Sequence, residues 1–220
     1  MLPFTRIGRF FLLFFHLFRT SFQMVYGAWR ISKLQEPIIT IFGSARMKSS
    51  SIYAQKAQEL GQRFIDAGIS ILTGGGPGIM EAAVCHTKYS GKAKSIGIGV
   101  RGVEDRPNLC ATDYFDLEYF FARKWLLTEF SSGFIIFPGG FGTLDEMAGV
   151  LTLIQTKKIK KVPMVLIGKE FWNPFVLWIK NEALVHGAIL EEELEYFYVT
   201  DNLDEAFCFV QSNCEARKLR

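Results

Sequence analysis

The run Pro138-Gly139-Gly140-Phe141-Gly142-Thr143 is where the residue types of this chain point most directly to chemistry. It follows a short apolar stretch and opens an amphipathic one, so it reads as a strand, a glycine turn and a helix start. At such a junction free backbone N–H groups and the positive helix end face one point, which suits a phosphate. Thr143 can add a first-turn hydroxyl to that cradle. Glu146 lies three residues further, one helical turn in and on about the same face. A carboxylate is a poor phosphate ligand because like charges repel. The plain alternative is a helix-start acid answering the dipole, a role that Asp145 fits equally well.

Two further glycine-rich segments sit at strand ends. Gly74-Gly75-Gly76-Pro77-Gly78 precedes a helical pattern, with Glu81 just beyond it and as ambiguous as Glu146, and Gly43-Ser44-Ala45-Arg46 follows an earlier apolar run. The competing reading of each is a tight turn that lets helix and sheet pack closely. The dinucleotide fingerprint G-x-G-x-x-G fails in both long loops, because Ile79 and Asp145 stand where the third glycine belongs. No G-x-x-x-x-G-K-[ST] run is present either. A monophosphate-sized ligand fits these loops better than NAD or a triphosphate, and no cofactor is expected.

The elements that must position these loops alternate. Strands are expected at Ile38–Phe42, Ile69–Thr73, Ser95–Val100, Tyr114–Leu117, Phe134–Phe137, Met164–Ile167 and Phe197–Val199. Amphipathic helices are expected at about 52–66, 78–89, 121–131, 143–156, 172–186 and 203–213. Strands without polar alternation imply burial on both faces. The expected fold is therefore α/β, a Rossmann-like, doubly wound, mostly parallel sheet with helices on both faces. Ligands of such sheets bind at the carboxyl ends of the strands.

The chain of 220 residues is 49% hydrophobic and 21% charged, which excludes a disordered chain or a coiled coil. Its net charge of +3 is too small to mark a nucleic-acid binder. The charge is uneven: residues 1–36 carry +4, leaving the remainder at −1. The cluster Lys157-Lys158-Ile159-Lys160-Lys161 reads as complementing a helix C-terminus rather than as a nucleic-acid patch. Cys85, Cys110, Cys208 and Cys214 show no metal-ligand spacing, so no metal is expected and a reducing, cytoplasmic setting is. The division expected is an N-terminal amphipathic helical extension, 1–36, and a Rossmann-like domain, 37–220.

The extension raises the question of membranes. Phe10–Phe15 is far shorter than the roughly 20 residues of a spanning helix. Bulky Phe22, Met24, Tyr26 and Trp29 leave no small-residue cleavage site for a signal peptide. Phe4, Ile7, Phe11, Phe14, Phe18, Phe22, Val25 and Trp29 recur at helical spacing, with Arg6, Arg9, His16, Thr20, Gln23 and Arg30 on the other side. The reading adopted is a docking helix whose aromatic stripe covers the body or a second subunit. Contact with a membrane surface is the less favoured alternative.

Pro138-Gly139-Gly140-Phe141-Gly142-Thr143-Leu144-Asp145-Glu146 resembles the P-G-G-x-G-T-x-x-E signature of the LONELY GUY family. Arg123-Lys124 resembles its second motif, an R-K pair preceded by Met-His-x, and Gly74–Met80 its first glycine loop. The resemblance runs from about Ile38 to Leu190. It implies a nucleoside 5′-monophosphate phosphoribohydrolase, formerly misnamed a lysine decarboxylase, that releases a free base and ribose 5-phosphate. It also implies a homodimer. Glu146 and Arg123 match the catalytic pair. Gly139, Gly140, Phe141, Gly142, Thr143, Lys124, Gly74, Gly75, Gly76, Gly43, Ser44 and Glu81 would then surround the nucleotide. Two positions depart from the pattern: Phe120-Phe121 replace Met-His, and Glu81 stands where plant-type members carry Gly. The Met-His region lies near the base, so the expected substrate is a purine nucleoside monophosphate of the AMP or cytokinin riboside monophosphate type, with unmodified AMP preferred because the two departures give no ground for an N6 substituent. No pyridoxal chemistry is expected; His86-Thr87-Lys88, the nearest candidate for it, reads as the end of a helix. The alternative function is a non-catalytic carrier of a nucleotide or a molybdopterin-type phosphate ligand. Such a carrier needs the loops but no carboxylate at the sugar.

Overall fold

The computed structural model describes residues 6–85, 92–103 and 108–218. Among these described residues seven strands form one sheet: β1 (Ile38–Phe42), β2 (Ser70–Thr73), β3 (Ser95–Val100), β4 (Asp113–Leu117), β5 (Gly133–Ile136), β6 (Met164–Ile167) and β7 (Tyr198–Thr200). Their order is β4-β3-β2-β1-β5-β6-β7, and each of the six pairings is parallel. β1 to β3 and β5 to β6 are fully buried, as their unbroken apolar runs require. The chain winds outward from β1 to β4 and then returns to the other side of β1 with β5. The switch point of the topology therefore lies between β1 and β5, where the crevice of such a sheet forms.

The α-helices of the described residues are α1 (Arg6–Ile31), α2 (Ile52–Asp66), α3 (Ile79–Ala82), α4 (Phe120–Glu129), α5 (Phe141–Gln155), α6 (Lys169–Trp178) and α7 (Leu203–Lys218). Two hydrophobic cores flank the sheet. One joins β-strand side chains to α2, α3 and α7 through Leu60, Phe64, Ile79 and Val210. The other joins them to α4, α5 and α6 through Leu126, Met147, Val150 and Trp172. Ser51 caps α2 by accepting the Ala54 N–H at 3.1 Å.

Several boundaries differ from expectation. The helix expected over 78–89 is helical to Ala82 and then turns; its end, with His86-Thr87-Lys88, lies outside the described residues. α6 begins at Lys169 and passes at Ile179 into a π turn ending at Leu184. α5 starts at Phe141 rather than 143, so Phe141, Gly142 and Thr143 are its first turn and not part of the preceding loop.

The larger correction concerns α1. The helix does dock on its own body, but with the face opposite the aromatic stripe, so the stripe does not cover the body. Phe11, Phe14, Phe18, Phe22, Val25 and Trp29 are all exposed, whereas Thr20, Gly27 and Ile31 are buried. Phe4 and the Ile7 side chain lie outside the described residues. The seat on the body is mixed: Met24, Ala28 and Ile31 join the second core, and ion pairs flank them. Arg30 forks onto Asp113 at the edge strand, with Nε to Oδ2 at 2.9 Å and a second bond from Nη2 to Oδ1. Arg19 pairs with Glu118 at 3.2 Å, and the Gln23 amide oxygen accepts the Glu118 N–H at 3.1 Å. Gly27 sets the distance: a Cβ there would stand 2.7 Å from Leu126 and 2.9 Å from Phe115. Periodicity located both faces of this helix. It could not tell that ion pairs and one glycine, rather than the aromatic stripe, meet the sheet edge. Among the described residues no helix is long and apolar enough to cross a membrane.

Candidate active site

The loops after β1, β2 and β5 meet at the switch point because their backbones are bonded together. The Ser44 N–H donates to the Pro138 carbonyl at 3.1 Å, and the Ser44 carbonyl accepts the Ile79 N–H at 3.1 Å. Ser44 thus ties both long glycine segments to the end of β1. The Gly43 position is closely packed, since a Cβ there would press on the Ile79 side chain.

The glycines separate into two kinds. Gly75 has φ +73°, and a Cβ on it would lie 2.7 Å from the Tyr114 ring; Gly78 has φ +69° and abuts the Ser44 carbonyl. Gly76 packs on Met80, and Gly74 lies near both Met80 and Arg123. The Gly74–Gly78 segment therefore owes its glycines to the protein's own packing. Gly139 belongs to the same kind, because a Cβ there would collide with the Thr143 side chain. Gly140 and Gly142 do not. Nothing lies within 4 Å of a Cβ built on either, and neither has positive φ. Neither strain nor packing demands glycine at these two positions, and the space beside each backbone is open. Gly140 also caps α5 without a side-chain bond to the first turn, so the helix-start N–H groups face outward. Phe141 is 93% exposed beside them, and Thr143 is buried.

Behind this helix start, α4 and α5 bring Arg123 and Glu146 together. Nη2 of Arg123 donates to Oε1 of Glu146 at 3.4 Å, and the two side chains are only 12% and 11% exposed. Nη1 of Arg123 donates to the Gly74 carbonyl at 3.4 Å, and the guanidinium lies over the Phe120 ring, 5.1 Å from its centroid. A buried carboxylate held by a guanidinium is costly to build and costly to break, since removing either partner strands a charge. Arg123 thereby links the second glycine segment to the acid on the first.

Lys124 takes another direction. Its Nζ donates to the Asp145 carbonyl at 2.8 Å and to Oδ1 at 2.9 Å, along the flank of Gly149. Lys124 and Asp145 help line an open groove of about 760 Å³ between α4 and α5, with Phe121 and Trp125; Arg123 and Glu146 are not among its lining residues. Glu81 is half-buried on α3, within electrostatic reach of Cys85. Burial, and then the Cys110 neighbour at 2.9 Å, push the Cys85 thiol up to about 12. Tyr114 packs on the Gly75 turn from the edge strand, and its hydroxyl donates to Asp116 at 2.6 Å. No sequence pattern marks Tyr114 for this, because the turn it packs on is about 40 residues away along the chain. Among the described residues no group of acidic, His or Cys side chains is arranged to hold a metal.

The class is defined by this frame: a Rossmann-like α/β protein with glycine-rich strand ends and a buried Arg–Glu pair at the switch point. The chain belongs to the LOG family, whose family description, possible lysine decarboxylase, matches over residues 71–209. It is 31% identical over 153 residues to the cytokinin riboside 5′-monophosphate phosphoribohydrolase LOG of Oryza sativa subsp. japonica, covering 68% of this chain and 62% of that protein. The chain thus spans less than two thirds of that relative's length. The cytokinin riboside 5′-monophosphate phosphoribohydrolase of Rhodococcoides fascians is 22% identical over 177 residues, 79% of this chain and 89% of that one. Among solved structures, the molybdenum cofactor carrier protein of Chlamydomonas reinhardtii shares the fold, with a TM-score of 0.57 and 21% identity over 83% of this chain and 99% of that one.

Proposed function

We propose that this protein hydrolyses the N-glycosidic bond of a purine nucleoside 5′-monophosphate, with AMP as the reference substrate. The observation that carries the reading is the buried Arg123–Glu146 pair directly behind an open, glycine-lined helix start. The backbone of Gly139, Gly140 and the first turn of α5 binds the 5′-phosphate, with the Thr143 hydroxyl beside it. That anchor fixes the ribose and spends remote binding energy on orienting C1′. Cleavage of the C1′–N bond leaves its electrons on the base and positive character on the ribose. The Glu146 carboxylate stabilises that cation and takes a proton from the water whose oxygen bonds to C1′; that proton then passes to the departing base, which leaves as the neutral free base and regenerates the carboxylate. Arg123 stays protonated and so cannot be the base; it holds Glu146 in place. A passive carrier has use for the loops but not for a carboxylate buried beside them, which is the reason the hydrolase is preferred over the carrier reading.

The relatives named above act on cytokinin riboside monophosphates, by their names. Here Phe120, the position of the family's Met, lies over Arg123, and Phe121 is exposed on the same helix. We take unmodified AMP as the substrate on that ground. A homodimer through the apolar groove between α4 and α5 completes the reading, in a cytoplasmic setting. The test is base release from AMP, other nucleoside monophosphates and adenosine. AMP should yield adenine and ribose 5-phosphate at least 100-fold faster than adenosine yields adenine. Equal rates on the two would remove the phosphate role of Gly140 and Gly142, and release from neither would leave the carrier.

A further inference from the structure

We propose that α1 is a membrane-surface helix that holds the protein on an anionic lipid bilayer, lying in the interface with its aromatic face toward the acyl chains. Eight aromatic side chains are exposed on it: Phe10, Phe11, Phe14, Phe15, Phe18, Phe22, Tyr26 and Trp29, at 52–65% of their full area. At roughly 200 Å² per ring this amounts to on the order of 900 Å² of aromatic surface. The largest apolar patch of an ordinary soluble monomer is about 300–600 Å².

Three features choose lipid as the occupant. The first is the direction of the helix faces. The polar face of α1 is already spent on the body through Arg30–Asp113, Arg19–Glu118 and Gln23, so the apolar face is held outward by ion pairs. The second is the N-terminal half. Every residue from Arg9 to Phe15 is exposed, so the helix there is uncovered on all sides. A second protein copy covers one side of a helix, whereas lipid tails and headgroups surround it. The third is charge. α1 contains four arginines and no acidic residue, and Lys33 follows it, in a leader of +4 on a body of −1. Arg9 and Lys33 are exposed near the two ends of the aromatic face, and Lys33 lies 3.2 Å above the Trp29 ring. Such cations reach anionic headgroups while their stems stay against apolar surface. With no helix among the described residues long and apolar enough to span, the attachment proposed is peripheral. It is independent of the chemistry at Glu146.

The experiment is flotation of the full chain with vesicles of pure phosphatidylcholine and of phosphatidylcholine with about one third phosphatidylglycerol, with light scattering of the free protein alongside. The full chain should partition at least tenfold better into the anionic vesicles. The triple variant Phe14→Glu/Phe18→Glu/Phe22→Glu should lose at least tenfold of that binding with its melting temperature unchanged, because all three rings are exposed. Arg9→Glu/Lys33→Glu, which keeps the aromatic face, should lose the preference for anionic over neutral vesicles. Failure of the full chain to bind either vesicle overturns the proposal, as does undiminished binding of the triple variant. So does a stable oligomer that the triple variant dissociates while no vesicle is bound, which would make a second copy the occupant.

Discussion

Replacing Glu146 by Gln removes one charge and almost no volume. The side chain is 11% exposed, and a Gln oxygen can still accept from Nη2 of Arg123. The bond changes from a charged to a neutral acceptor and the buried Arg123 guanidinium loses its counter-charge, a loss of about 1–3 kcal/mol, partly offset because a buried carboxylate no longer has to be desolvated. The melting temperature should therefore fall by roughly 2–12 °C with the fold retained. If Glu146 served only the helix dipole, turnover would be untouched, since that role is worth about 0.3–1 kcal/mol of stability. If it meets the ribose cation and the water, turnover should fall by about 10²–10⁴, or roughly 2.7–5.5 kcal/mol of barrier. AMP affinity should hold or rise, because a carboxylate near the phosphate has gone. Asp145→Asn is the control one residue away. Asp145 is 71% exposed and pairs with Lys124, an interaction worth about 0.2–1 kcal/mol, so this variant should keep most activity. Chromatographic base release and calorimetric AMP binding on both variants decide the matter. Near-normal turnover in Glu146→Gln refutes the mechanism and raises the carrier.

Gly140→Ala and Gly139→Ala should fail in opposite ways. The first has open space at its Cβ, so melting should stay within about 0.5 kcal/mol of the parent while AMP affinity drops about tenfold; the second meets Thr143 and should cost about 1–3 kcal/mol in a denaturation curve. Equal melting losses would make both glycines structural. Cys85, with its thiol raised to about 12 against an ordinary 9.0, holds the thiolate form only as pH approaches 12. Iodoacetamide at pH 8 should thus modify it about 10³-fold more slowly than an ordinary thiol, which mass mapping against the exposed Cys208 checks.

The sheet was legible because its strands are short, β-branched and buried on both faces, a pattern that polar helices cannot imitate. The all-parallel order confirms the α/β reading to within a residue or two at most strand ends. The site was legible in its parts. Each glycine run stood at a strand end, and Glu146 stood one turn into a helix. That Arg123 reaches Glu146 and the Gly74 carbonyl together was not, because it depends on how α4 crosses α5. Nor could spacing separate Gly140 from Gly139, since the difference lies in what surrounds each Cβ. The face that α1 turns to its own body was not legible, for a physical reason. Burial of apolar surface is the stronger general force, but here the sheet edge offered Asp113 and Glu118, and the helix answered with arginines.

That mixed seat makes α1 respond to ionic strength in two opposed ways. Its attachment to the body rests partly on exposed or half-exposed charge pairs, which salt screens over a Debye length of about 8 Å at physiological strength. Its outward aromatic face is driven from water, and salting-out ions such as sulfate or phosphate sharpen that drive. Concentrated salts of this kind therefore weaken the ion pairs of the seat, leave its apolar contacts through Met24, Ala28 and Ile31 in place, and raise the tendency of the outward face to associate with any apolar surface at hand. A purification that begins with ammonium sulfate selects for aggregation through this one helix, whereas dilute, low-salt buffers keep it seated.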